Sequence, residues 1–220
     1  MDHCLRHIIR IAIVLFGFVA VTGAQVNDAP KPAPSPSEVA AVAEYCRELN
    51  TYAGLHPKEA RFFGDAAAYD QSGVTLTTPR PRWREYKSAK ARDAATTPDN
   101  LFNTANVWLR NGKVVFARFQ YGSPSGDWAQ IVGYCFREDG SLAKLENSFR
   151  IIPGSNVRIE KARIYDAKGK LLRSSQQCFD LDTRRKKRCG SDYRNYDADV
   201  FGTVKQLPIY GLIKSRGAIK

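Results

Sequence analysis

The chain has 220 residues, 43% of them hydrophobic, and 34 Lys and Arg against 22 Asp and Glu give a formal net charge of +12. That length supports one sizeable core, and the cationic excess favours anionic partners while also keeping a chain soluble. Only three histidines are present, and two of them, His3 and His7, fall in the first ten residues, so histidine-rich metal sites and most histidine-dependent nucleophile arrangements are excluded.

In chain order, the first expected element is a leader. Arg6 and Arg10 precede an apolar run over 11–21, which ends in Thr22-Gly23-Ala24. A basic flank, a short apolar stretch and small residues at the end have the layout of a secretory signal peptide over 1–24, with Gln25 as the first mature residue. An uncleaved N-terminal anchor is the competing reading. Arg6 and Arg10 against Asp2 account for one net positive charge, so the mature chain would carry about +11. Export places the protein in the periplasm or outside the cell. Residues 25–37 are rich in proline and read as a disordered linker.

A single globular domain is expected over 38–213, its first part (38–63) helical. Ser37 stands as cap to a helix over 38–49, in which Val39, Val42, Ala43, Cys46 and Leu49 recur at helical spacing. A second short helix is expected over 56–63, with Pro57 in its first turn and Phe62 and Phe63 as core anchors. Pro79 and Pro81 interrupt 64–100, and 83–92 reads equally as helix or strand.

From 105 to 181 short apolar runs alternate with turn signals, and a meander of about six antiparallel strands is expected. The strands are 107–109, 114–121, 128–137, 142–151, 157–165 and 170–181. Asn111-Gly112 and Asp139-Gly140 mark tight turns, Pro153 to Asn156 and Asp166 to Gly169 mark others, and the loop 122–127 connects the second strand to the third. The third strand carries apolar residues on both faces, so either the N-terminal helices lie across the sheet or the sheet curls on itself. Val157 and Ile159 alternate with Arg158 and Glu160, which marks a wetter end. A basic loop and a docking tail follow over 182–213, and 214–220 reads as a frayed end. The fold class is therefore α+β, mainly antiparallel β.

The segments Trp83-Arg84-Glu85-Tyr86-Lys87-Ser88, Val107-Trp108-Leu109-Arg110-Asn111-Gly112-Lys113-Val114, Ser123-Pro124-Ser125-Gly126-Asp127-Trp128 and Phe136-Arg137-Glu138-Asp139-Gly140-Ser141-Leu142-Ala143-Lys144 together resemble a family of uncharacterised exported bacterial proteins. The likeness would cover roughly residues 83–210. It implies export and carries no activity. The Asp-x-x-Gly-x-Leu hairpins are also similar to short hairpin repeats of bacterial surface proteins, but their spacing here is unequal.

Cys46, Cys135, Cys178 and Cys189 remain after the leader, an even number that suits two disulfides in an oxidising compartment. Three pairings are possible. Cys178 with Cys189 is preferred because it staples a basic loop to the strand before it, which leaves Cys46 with Cys135. A metal site is disfavoured, since the two nearest cysteines are eleven positions apart.

No phosphate-cradling glycine motif is present, no cofactor is implied, and no catalytic residue is assigned. His56 reads as a surface or capping residue. Glu138/Asp139, Asp180/Asp182 and Asp197/Asp199 are the visible carboxylate pairs, better explained by turns and loop solubility than by glycoside hydrolysis. The sharpest binding signal is the run Arg184, Arg185, Lys186, Lys187 and Arg188, because like charges repel unless an anion neutralises them. Tyr193 and Tyr196 follow and could stack on bases or sugars. The expected role is a non-enzymatic exported binding or structural module for an anionic envelope polymer, a membrane surface or an acidic protein. A carboxylate-dependent hydrolase of an extracellular polymer and a carrier of an apolar ligand in a curled sheet are the alternatives.

Overall fold

A computed structural model describes residues 36–65, 83–95, 103–123, 125–152, 156–190 and 196–215. The expected leader and nearly all of the proline-rich linker lie outside them, as does Tyr193. The elements are α1 (Pro36–Leu55), β1 (Arg61–Asp65), β2 (Trp83–Tyr86), α2 (Ala89–Ala94), β3 (Thr104–Arg110), β4 (Lys113–Gly122), β5 (Trp128–Phe136), β6 (Leu142–Ile151), β7 (Val157–Tyr165), β8 (Leu171–Asp180), β9 (Lys186–Lys187) and α3 (Tyr210–Ser215). All strands belong to one antiparallel sheet of nine, ordered β2-β1-β3-β4-β5-β6-β7-β8-β9. The expected six strands are all present as β3 to β8, and the sequence reading undercounts by β1, β2 and β9. The sheet is open, with β2 and β9 at its edges, so it does not curl into a closed barrel.

α1 is longer than the expected 38–49. Ser37 lies inside its first turn rather than capping it. The buried residues Cys46, Leu49 and Ala53 form a stripe that continues past residue 49, and Pro57 disfavours helical backbone in the residue before it, so the helix ends at Leu55. Pro57–Glu59 is a single tight turn. The second expected helix is absent: Phe62 and Phe63 stand in β1. In a strand, adjacent side chains point to opposite faces, so a sheet covered on both sides takes one phenylalanine into each core. Phe62 is 8% and Phe63 0% exposed, each in a different apolar cluster.

α1 lies against β4, β5, β6 and β7 on one face, anchored by a Cys46–Cys135 pair (S–S 2.10 Å) and by the Tyr45 hydroxyl, which donates to the Phe136 carbonyl at 2.9 Å. The opposite face is covered by the C-terminal segment, whose Val204, Leu207, Ile209 and Ile213 are buried with Phe119, Val132, Tyr134 and Phe136. The need for two covers is thus met by one helix and one tail. Arg61 clamps the tail. Its guanidinium makes two 2.8 Å bonds to Glu85 and donates to the carbonyls of Ile213 and Leu212 at 2.9 and 3.0 Å.

The hairpin turns follow their residues. Asn111 and Gly112 have φ of 52° and 74°, the positive pair that a two-residue turn between right-twisted strands requires. Asp139 accepts from the backbone N–H and hydroxyl of Ser141 at 2.8 and 2.7 Å, and these bonds hold its carboxyl below the usual range. Glu138/Asp139 is therefore a turn.

Candidate functional site

The basic run is not a loose loop. Asp180 at the end of β8 accepts the Thr183 N–H at 2.9 Å, the Thr183 hydroxyl at 3.0 Å and the Asp182 N–H at 3.2 Å. Those bonds, with the Lys187 charge 3.7 Å away, hold the Asp180 carboxyl low. Arg184 takes the turn's positive φ, 58°. Lys186 and Lys187 then pair with Phe179 and Cys178 as β9, and Cys178 bonds Cys189 (S–S 2.14 Å). Both cysteine pairings are those favoured from the sequence. Both carboxylates of the Asp180/Asp182 pair are therefore engaged, Asp180 by this turn and Asp182 by the side-chain amide of Asn156, just before β7.

Arg184, Arg185, Lys186 and Arg188 are exposed. Among the described residues, none of these four has a carboxylate within 4.0 Å. Lys187 is half-buried against Asp180.

The sheet extends this charge across its strands. Arg150 pairs with Arg158, Arg158 with Phe179, and Phe179 with Lys186. Directly opposed positions share a face, so Arg150, Arg158, Phe179 and Lys186 form one row across β6 to β9. The Arg158 guanidinium lies over the Phe179 ring at 4.8 Å, and its Nε is 3.0 Å from Glu160. Opposed arginines cost stability unless a neighbouring anion offsets the charge; Glu160 does so for Arg158, and among the described residues Arg150 has no carboxylate within 4.0 Å. Sequence reasoning missed Arg150 and Arg158. The signal that could have found them is their symmetry about Gly154 in the expected hairpin, which sets them opposite each other.

On the same face, beside α1, lies an open trough of about 530 Å³, lined among others by Asn50, Arg118, Glu146, Ser148, Glu160 and Gln177. Its two glutamates stand on adjacent strands, and each pairs with a base two residues away on its own strand: Glu146 with Lys144, Glu160 with Arg158. Arg118 donates to Asn50 at 2.8 Å.

The aromatic partner of the cations is Phe179 rather than Tyr196. Tyr196 stacks on Phe149 at 4.5 Å, and Phe149 on Trp128 at 5.6 Å. Phe149 neighbours Arg150 along β6 and therefore faces the other way, so Tyr196 packs on the side opposite the basic row. His56 is local: its Nδ1 is 2.7 Å from Glu59 and its carbonyl accepts from the Trp108 indole at 3.0 Å. Among the described residues, no three His, Cys, Asp or Glu side chains gather as a metal site.

Asp197 ties the tail to β7 through Lys161 at 2.6 Å and Arg163 at 2.8 Å. Burial alone would raise its carboxyl, but these cations and their hydrogen bonds outweigh it and hold it below the ordinary range. A lowered folded-state value stabilises above the unfolded pKa and is lost as pH falls through the folded one. The Val204 amide, which donates to the Gly140 carbonyl at 2.9 Å where the tail docks, is therefore expected to lose protection below the ordinary aspartate range before β5 does. Hydrogen exchange with equal acid sensitivity in both places would exclude the tether.

No family model matches the chain, and neither the curated proteins nor the solved structures contain a significant match to it.

Proposed function

We propose that the chain is an exported, non-enzymatic binding module whose cationic sheet edge engages an anionic polymer of the cell envelope or its surroundings. One observation carries the reading: Arg184, Arg185, Lys186 and Arg188 are exposed and have no carboxylate partner among the described residues, on a hairpin clamped by Cys178–Cys189. Four such cations gain little from their own protein, and holding them in one geometry lowers the ordering cost of binding a repeated anion. Arg150 and Arg158 lengthen the row to three strand spacings, about 14 Å, which suits a chain of charges better than a single small anion. Export rests on the N-terminal layout around Arg6, Arg10 and Ala24, and the two cysteine pairs suit an oxidising compartment.

The test compares protein starting at Gln25 with a variant carrying Arg184→Ser, Arg185→Ser, Lys186→Ser and Arg188→Ser, on immobilised lipopolysaccharide and on a sulfated polysaccharide. Wild-type binding should weaken steeply with salt, as ion release demands. The variant should bind at least about tenfold more weakly, since each lost contact costs a fraction of a kcal/mol to about 1 kcal/mol. Its melting temperature should barely change, because the substituted side chains are exposed. Equal binding of both proteins would sink the proposal. Wild-type binding to anionic vesicles alone would move the partner from polymer to membrane surface.

A further inference from the structure

On the face opposite the basic row, the tail leaves an open cleft of about 400 Å³ between itself and the sheet. Trp83, Tyr121, Trp128, Tyr134 and Phe201 line it, together with Asp199. This volume is within the range of small-molecule sites, and five aromatic side chains share the wall with Asn103, Gln130 and two aspartates, a mix of apolar surface and polar groups that such sites use. We infer that this cleft is a second binding site, independent of the cationic edge, and that it takes a small organic cation of the quaternary ammonium class.

The walls are set by the core. Phe119, fully buried, makes edge contacts with Trp83 at 5.7 Å and Tyr134 at 5.6 Å and stacks with Tyr121 at 6.1 Å. Tyr134 in turn lies 5.4 Å from Phe201 and donates its hydroxyl to the Asp199 carbonyl at 2.9 Å. One buried ring thus positions three of the five aromatic walls, and one hydrogen bond holds the carboxylate-bearing segment against them. Tyr134 is itself 1% exposed and only backs the cleft, so the rings within a ligand's reach are the partly exposed Trp83, Tyr121, Trp128 and Phe201, and fixed aromatic rings attract a cation without rearrangement.

The charge pattern selects the ligand. The chain carries +12 overall, yet this cleft is lined by acids. Asp197 is neutralised by Lys161 and Arg163. Asp199 has no basic partner among the described residues. Asp65 is buried nearby and hydrogen-bonded by Asn103 at 3.2 Å. The Tyr121 phenol registers this surrounding: burial first, then the charges of Asp199 and Asp65, push its ionisation far up. An anion would meet the Asp199 carboxylate, and a neutral ligand would gain nothing from it.

Two of the three tryptophans, Trp83 and Trp128, line the cleft, while Trp108 is buried in the core on the other face. Intrinsic fluorescence therefore reads occupancy. Choline is expected to change the emission of wild-type protein saturably, and its uncharged tert-butyl isostere to bind at least about threefold more weakly. Asp199→Asn should remove most of that difference with an unchanged melting temperature. The basic-hairpin variant described above should keep it, which separates failure of this site from failure of the cationic edge. The inference is overturned if choline gives no saturable change, if the isostere binds as well as choline, or if Asp199→Asn leaves the preference intact.

Discussion

Replacing Cys46 and Cys135 together by alanine is expected to cost about 4–5 kcal/mol. The two residues are 89 positions apart, so without the bond the unfolded chain regains the freedom of a very long loop, and the entropy of closing a loop grows with the logarithm of its length. The bond also joins α1 to β5 in the middle of the sheet, two elements far apart in sequence. Both half-cystines are buried, at 3% and 2% exposure, which removes contact area along with the bond. The same change at Cys178 and Cys189, only 11 apart, is expected to cost about 3 kcal/mol by the same relation. It should additionally loosen the basic hairpin and weaken polyanion binding. Urea unfolding of each double variant measures both losses. A smaller loss for the 46/135 variant than for the 178/189 variant would mean that loop entropy does not set the stability of this chain.

Phe119→Ala is the second large effect, about 3–5 kcal/mol. Phe119 is 0% exposed and sits on β4 between the sheet and the tail. Truncation removes its burial and leaves a cavity bounded by the rigid rings of Trp83, Tyr121 and Tyr134, which cannot collapse into it without losing their own contacts. Phe119→Leu, which keeps most of the volume, should cost a fraction of that and still blur the aromatic cleft, because the edge-on contacts that orient its walls are gone. Thermal unfolding gives the stability. A fluorescence titration with choline gives the state of the cleft. A Phe119→Leu protein that is stable and binds choline as wild type does would show that the walls are held by something other than this ring.

Much of the middle of the chain is legible in its residues alone. β3 to β8 follow from turn chemistry that is written locally: Asn111-Gly112, Asp139-Gly140 and the Asp166 to Gly169 turn each force a reversal, and between them the side chains alternate. β1, β2 and β9 are hidden for different reasons. Phe62-Phe63 shows no alternation because both of its faces are buried, and a four-residue β2 beside prolines gives too little pattern to read. Lys186-Lys187 has no strand preference of its own and becomes β9 only because Cys178–Cys189 and the Asp180 turn lay it along β8.

The sites divide the same way. The run from Arg184 to Arg188 is visible as a charge cluster, since five cations in succession need no fold to be noticed. Its extension through Arg150 and Arg158, and the placement of Tyr196 on the other side, depend on register, where a shift of one residue would reverse every face. The aromatic cleft has no signature in the sequence, because Trp83, Tyr121, Trp128, Tyr134 and Asp199 come from segments spread over more than half the chain. Local residue chemistry therefore determined the turns, most strands and the presence of a basic run, and it favoured one cysteine pairing of three without deciding it. Which face each side chain occupies, what covers that face, and which distant residues meet across it were decided only when the strands paired and the tail docked, because those are properties of long-range packing rather than of any short stretch of sequence.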